Sequence, residues 1–312
     1  MGALNIVFGV VILIINGWMA NGLSMNYYIM TCPIADIIVR NAVQTALQSD
    51  PTFAASLVRM HFHDCFVEGC DGSVLIDSTK SNTAEKDSPA NLSLRGYEII
   101  DAAKRALERQ CPGVVSCADI VAMAARDAVF FSGGPLYEIP KGRRDGTRSK
   151  IEDTFFNLPG PSLNASGLIS AFGKRGFTTQ DMVALSGAHT LGVARCSSFK
   201  PRLDAADPTI DTSFAKTLSK TCSSGDDTEQ PFDSTRNTFD TNYFSALQRR
   251  AGVLFSDQTL FESPATRGLV NMYAFNRAMF NMDFQRAMIK MGQIDVKEGT
   301  NGEIRSNCHV IN

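Results

Sequence analysis

Apolar residues recur at helical spacing after Cys32-Pro33, through Ile34, Ile37, Ile38, Val43, Ala46 and Leu47, until Asp50-Pro51 interrupts them. This pattern predicts one amphipathic helix with a proline stop. The same period runs through 52–65, through 95–111 (Ile99, Ile100, Ala103, Leu107) and through 116–131, where Gly133-Gly134-Pro135 ends it. Later helices are expected at 162–174, 179–193, 213–222, 240–250 and 264–291, the last broken near 281–283. Between them, 77–93, 133–161 and 223–237 are rich in turn-forming residues and read as loops. Alternating patterns are scarce and no internal repeat is visible. The fold class is therefore all-α with minor β expected around 137–140, and with a division into two parts near Pro161.

Composition narrows the picture. A chain of 312 residues with 44% hydrophobic and 20% charged residues can bury a large core, and 24 Gly with 12 Pro are too few for a collagen-like or disordered chain. With 30 Lys and Arg against 32 Asp and Glu the formal net charge is -2, which argues against nucleic acid as a partner. Residues 1–22 carry no Asp, Glu, Lys or Arg, and their apolar run at 6–15 is too short to span a bilayer. Small residues at Ala20 and Gly22 predict a secretory signal peptide over 1–22, leaving a mature chain over 23–312 with no membrane segment. Trp18, the only tryptophan, would leave with it. All eight cysteines lie beyond that point, an even number suited to four disulfides in an oxidising compartment, although spacing leaves their pairing open. The absence of any Cys-x-x-Cys, together with only four histidines, disfavours zinc.

The densest chemistry lies in LVRMHFHDCFVEGCDGSVLID at 57–77. Arg59 and His63, four apart in a helical pattern, share one face: a permanent cation beside an imidazole that titrates near neutrality. That pair suits proton transfer with stabilisation of developing negative charge, and Phe62 flanks it. His61 points to another side of the helix, which disfavours a chelating pair. Asp64, Gly69, Asp71 and Ser73 crowd oxygen donors into ten residues, as a hard cation such as calcium requires, without EF-hand spacing. In LSGAHTLGVARC at 185–196, His189 follows a helical run and could ligate iron if a carboxylate, with Asp257 as the distant candidate, fixed its other nitrogen. No Cys-x-x-Cys-His supports covalent haem. Ser186 beside His189 raises the alternative of a hydrolase, but no Gly-x-Ser-x-Gly surrounds it. Taken singly, each feature also has a plainer reading as a satisfied core histidine or a set of turn-forming residues.

Together they resemble the secretory plant peroxidases, the class III haem peroxidases. RMHFHDCFVEGCDGS at 59–73 is similar to the family's distal signature and LSGAHTLG at 185–192 to its proximal one. CPGVVSCADI at 111–120, GRRD at 142–145, NLPGP at 157–161 and FSDQTLF at 255–261 follow in family order, so the resemblance runs from about Leu23 to Cys308. It implies one non-covalent haem b held between a distal lobe (about 23–161 plus the C-terminal segment) and a proximal lobe (about 162–290). His189 would be the axial ligand of the iron and Asp257 the acceptor for its other nitrogen. On the opposite face His63 would take and return the peroxide proton, Arg59 would stabilise charge, and Asn91 would orient His63. The implied reaction reduces hydrogen peroxide to water and takes two electrons, one at a time, from small phenolic donors near Pro159.

Two calcium ions are implied as well. One maps to Asp64, the carbonyls of Val67 and Gly69, Asp71 and Ser73, with Glu85 acting through water. The other maps to Thr190, Asp233, Thr235, the carbonyl of Thr238, and Asp240. The family pairing is Cys32–Cys111, Cys65–Cys70, Cys117–Cys308 and Cys196–Cys222, and Asp119 with Arg143 matches an ion pair. The implied protein is a secreted monomer of the cell wall. The alternative is a calcium-binding, disulfide-stapled homologue without activity, against which the retained Arg59 and His63 argue. Tyr137 stands where the family commonly has tryptophan, the stretches 233–240 and 196–222 are short, and of the sequons at Asn91 and Asn164 only the second is expected to carry sugar.

Overall fold

Four helices in the first half follow the apolar period closely in the computed structural model, which describes residues 22–312. The predicted signal peptide, apart from Gly22, and Trp18 lie outside the described residues. Helix α1, Ala35–Ser49, buries Ala35, Val39 and Val43, and the chain turns extended at Asp50 because Pro51 disfavours a helical residue before it. Helices α2, Phe53–Val67, and α3, Tyr97–Gln110, follow. Helix α4, Cys117–Phe131, opens at Ser116, whose hydroxyl accepts the Asp119 backbone N–H at 3.1 Å. Every residue of α4 from Cys117 to Val129 is buried, as expected of a helix on which α1, α2 and α3 all pack.

The second half departs from the predicted boundaries for local reasons. Helices α5 (Ile151–Asn157), α8 (Lys200–Asp204) and α11 (Phe255–Glu262) were not expected; each is only one or two turns long, too short to establish a period. Helix α6, Ala165–Gly173, is capped by Asn164. Helix α7, Thr179–Ser186, begins at a reciprocal Thr178–Asp181 capping box and stops well short of 193. At Gly187 the backbone lies so close to the core that a Cβ would sit 2.4 Å from the Phe280 ring, and the chain tightens into a 3-10 turn over Gly187–Thr190. Helices α9 (Thr212–Cys222), α10 (Asn242–Gln248), α12 (Pro264–Phe275) and α13 (Arg277–Met291) complete the set. The break expected near 281–283 falls at Asn276, which leaves helical geometry and caps α13 by accepting the Met279 N–H.

The fold is all-α with one small sheet among the described residues, β1 (Val193–Arg195) antiparallel to β2 (Glu229–Pro231). The sheet is not at 137–140. There Tyr137 and Ile139 alternate inward because a single extended segment lines the core, and only the adjacent Lys141 is bridged, to Ser24. One buried apolar cluster runs through both groups of helices, from Val39 and Leu57 to Phe244 and Phe284. The four disulfides have the implied pairing, and Cys117–Cys308 ties the chain's end to α4. Arg143 and Asp119 form a fully buried pair at 2.7 Å, and Arg143 also donates to the Gly292 carbonyl, joining the first half to the segment after α13.

Candidate active site

Helix α2 places Arg59 and His63 one turn apart on one face. His63 is buried, with Nδ1 2.5 Å from Asn91 Oδ1 and Nε2 3.1 Å from Arg59 Nε. The Asn91 amide nitrogen donates to the Glu85 carbonyl at 2.7 Å, which turns its oxygen toward the ring. In this arrangement Nδ1 carries the imidazole proton and Nε2 holds the free lone pair. Arg59 is fixed by bonds from Nη1 to Ser93 Oγ (2.8 Å) and from Nη2 to the Ala90 carbonyl (2.6 Å). Burial first and the Arg59 charge second push the His63 pKa down to about 3, partly opposed by Asn91. The ring is thus a neutral proton acceptor at physiological pH. Phe62 stands edge-on to it, ring centres 5.6 Å apart.

His61 faces away, its Nδ1 3.5 Å from Cys65 Sγ, and burial followed by the Arg143 charge pushes its pKa down to about 3 as well. Unfolding restores the ordinary value of 6.5, so below it the unfolded chain binds a proton that the native chain refuses. Native stability therefore falls as pH falls from 6.5 towards 3. Between pH 6 and 4 the stability of wild type relative to His61→Gln is expected to drop by about 1.4 kcal/mol per pH unit. Urea titrations at three pH values read this, and a constant difference would contradict a neutral buried imidazole.

On the other side, His189 sits on the 3-10 turn that ends α7. Its Nδ1 is 2.7 Å from Oδ1 of Asp257, a buried residue in the first turn of α11 whose Oδ2 accepts the Leu254 N–H. Phe232 stacks on the imidazole at 4.4 Å and 5°, and Tyr243 Oη donates to Asp257 Oδ1 at 2.9 Å. With Nδ1 committed to a buried carboxylate, Nε2 is the atom left for a metal, and 39% of the His189 side chain is exposed against 2% of Asp257. The Gly187–Thr190 turn packs against α2, so the two histidine-bearing elements are neighbours. One imidazole oriented for ligation, with a second imidazole and a guanidinium hydrogen-bonded to each other and held by neutral groups, is a donor set that fits a haem iron.

The oxygen-rich sets also assemble. Asp64, Asp71, Ser73 and Glu85 are all buried. Asp64 Oδ2 accepts the Gly72 N–H, and Asp71 accepts the Ser73 N–H and pairs with Lys297 Nζ at 2.5 Å. The Val67 carbonyl is 3.4 Å from Arg175 Nη2, and the Gly69 carbonyl accepts the Asp71 N–H. Gly69 is required there: its φ is +91° and a Cβ would lie 2.6 Å from the Asp295 carbonyl. Burial, then the neighbouring Asp71, raises the Asp64 pKa to about 8; burial, then Asp64, raises that of Glu85. The Ser73 hydroxyl and both Glu85 carboxylate oxygens are buried without hydrogen-bond partners. Buried carboxylates and unpartnered oxygens are the condition a hard cation relieves.

In the second set Thr190 Oγ1 meets Asp233 Oδ2 (2.7 Å), Asp240 Oδ1 (3.2 Å) and the Thr238 carbonyl (3.5 Å), and Thr235 Oγ1 donates to Asp233 Oδ1. The shortened loop thus still gathers all five. Among the described residues no three His, Cys, Asp or Glu side chains converge at ligating range. Each set relies instead on a few carboxylates with hydroxyls and carbonyls.

Pro159 is half-buried on the segment after α5, which the Pro161 carbonyl ties to the Ser256 N–H of α11. Ser186 Oγ turns back to the Met182 carbonyl, so it forms no dyad with His189. Asn91 is buried and bonded at both ends of its amide, which leaves exposed Asn164 as the accessible sequon. Sequence reasoning missed Phe232, Tyr243, Ser93 and the Ala90 carbonyl. Ala90 adjoins Asn91 in the chain and Ser93 lies two residues after it, whereas no local pattern marks the first two.

A family model described as peroxidase matches residues 39–276. The chain is 71% identical to Peroxidase 47 of Arabidopsis thaliana over 293 residues, covering 94% of this chain and 90% of that protein. It is 47% identical to Peroxidase 64 of the same plant over 308 residues, 96% of each chain. It is also 47% identical to Peroxidase 5 of Vitis vinifera over 301 residues, 93% of this chain and 92% of the relative.

Proposed function

We infer the working parts of the molecule from one premise: the chain belongs to the class III plant peroxidases. It is a haem-dependent enzyme that reduces hydrogen peroxide at the expense of an electron donor. Haem, when bound, supplies the iron at which the peroxide bond is cleaved and the store for two oxidising equivalents. His189 Nε2 would hold the haem iron, with Asp257 drawing on the Nδ1 proton and so leaving more electron density on the ligating nitrogen. His63 Nε2 accepts the proton of incoming peroxide and hands it to the departing oxygen, base first and acid second. Arg59 now covers that lone pair with its Nε–H; it yields the place to peroxide and meets the charge that develops as the bond breaks. Asn91 holds the His63 tautomer, and its anchor at Glu85 connects it to the distal oxygen cluster.

The observation that carries this assignment is the opposite commitment of the two imidazoles. His189 Nδ1 is spent on a carboxylate, whereas His63 Nδ1 is spent on a neutral amide that leaves Nε2 basic. Holoprotein given peroxide and guaiacol is expected to develop colour, and bound haem without colour would overturn the roles of His63 and Arg59.

The same reading supplies the finer parts. The donors are small phenols entering near Pro159, Phe62 shields the site, and the two helix groups are the distal and proximal lobes. The protein is a monomer secreted to the cell wall; no helix among the described residues is long and apolar enough to cross a membrane. Two calcium ions occupy the oxygen-rich sets. Calcium must displace the proton that burial and the neighbouring Asp71 keep on Asp64, so its uptake is expected to release protons and its affinity to weaken as pH falls below about 8. Titrating calcium into EGTA-stripped protein in weak buffer reads the protons. Stripping is also expected to lower the rate with peroxide while haem stays bound, because Glu85 anchors Asn91.

A further inference from the structure

We propose that Tyr243 is a positioning residue that weakens the pull of Asp257 on His189 by competing for the same carboxylate oxygen. The inference rests on the reading of His189 as the iron ligand. Asp257 Oδ1 accepts two hydrogen bonds, from His189 Nδ1 at 2.7 Å and from Tyr243 Oη at 2.9 Å, while Oδ2 takes only the Leu254 N–H at 3.2 Å. The Tyr243 hydroxyl has no other hydrogen-bond partner among the described residues. Its ring is buried, edge-on to His189 at 6.0 Å and 83° and to Phe244 at 5.1 Å and 70°. Helix α10, which carries Tyr243, packs on both the Gly187–Thr190 turn and α11, so the fold holds the phenol, the imidazole and the carboxylate in one fixed triangle.

The consequence follows from carboxylate basicity. A hydrogen bond from a neutral phenol stabilises the anion and makes Oδ1 a poorer acceptor for the His189 proton. The imidazole then carries less negative charge and donates less electron density to a metal at Nε2. Hydrogen bonding of this kind around an axial ligand is one of the levers that set a haem potential. Tyr243 thus moderates the electron release that Asp257 provides, at a position that touches neither haem nor peroxide.

The test uses reconstituted holoenzyme, with the ferric/ferrous midpoint potential and the iron–imidazole stretching frequency as readouts. Tyr243→Phe keeps the ring and leaves Oδ1 to His189 alone; it is expected to lower the potential and raise the stretching frequency. Asp257→Asn removes the acceptor charge and is expected to move both readouts the opposite way. A Tyr243→Phe enzyme with unchanged or reversed shifts, beside a responsive Asp257→Asn enzyme, would overturn the role of Tyr243. If Asp257→Asn moved neither readout, the assignment of His189 as ligand would fail instead. Should Tyr243→Phe not fold, 3-fluorotyrosine placed at 243, a stronger hydrogen-bond donor, is expected to raise the potential, and no change would defeat the proposal.

Discussion

Replacing His63 with alanine is expected to slow the reaction with hydrogen peroxide by about 10²- to 10⁴-fold, the range for loss of a positioned general acid–base group. Haem is expected to stay bound, because His63 is not assigned to the iron. The size of the effect follows from the geometry. Asn91 holds the Nδ1 proton, so the ring has one basic atom, and burial with the Arg59 charge keeps that atom unprotonated down to about pH 3. No other histidine replaces it, since His61 faces Cys65 and Arg143. Stopped-flow mixing with peroxide, followed at the Soret band, measures the step directly. A variant that reacted at the wild-type rate would remove His63 from the mechanism. Asn91→Ala should fall between the two: the ring remains, but its tautomer is no longer imposed, and Asn91 loses its tie to Glu85. With calcium in excess, the wild-type rate is expected to stay flat from pH 8 to pH 5, because the base loses its lone pair only near its lowered pKa.

The features legible in the sequence are those a local pattern can encode. The apolar stripe of α1, the serine cap of α4, and the four-residue spacing of Arg59 and His63 depend on neighbours within a turn or two. The boundaries that moved depend on distant chain. Helix α7 ends early because Gly187 is pressed against Phe280, almost a hundred residues away, and Tyr137 lies in an extended segment because the core needed a lining there rather than a strand. The break before α13 was encoded locally, in the capping capacity of Asn276, but the more polar run at 281–283 was the stronger signal; Asp283 is in fact satisfied inside the helix by Tyr273 and Gln180. The site divides the same way. Family motifs carried His189 and Asp257, whereas Tyr243 and Phe232 act through a triangle that exists only once α10, α11 and the 3-10 turn have packed.

Replacing His189 with alanine is expected to abolish stable haem binding and, with it, peroxidase turnover. The chain has four histidines, and the other three are committed elsewhere: His61 beside Cys65, His63 to Asn91, and His309 to Asp77 and Asp101 at the surface. None can supply the missing ligand. The substitution also leaves buried Asp257 with only Tyr243 and the Leu254 N–H to support its charge, so some loss of fold stability should accompany the loss of haem. Gel filtration of reconstituted protein, with the ratio of Soret to protein absorbance, reads retention, and added imidazole should restore part of it by filling the space of the lost ring. Asp257→Asn provides the graded comparison: the ligand remains and only its orienting carboxylate changes, for which about a 10- to 100-fold loss in activity or affinity is expected. Full haem retention and turnover in His189→Ala would place the iron elsewhere. A loss of retention in His189→Ala alone, with activity in Asp257→Asn undiminished, would leave the ligand in place but deny the carboxylate its part in tuning it.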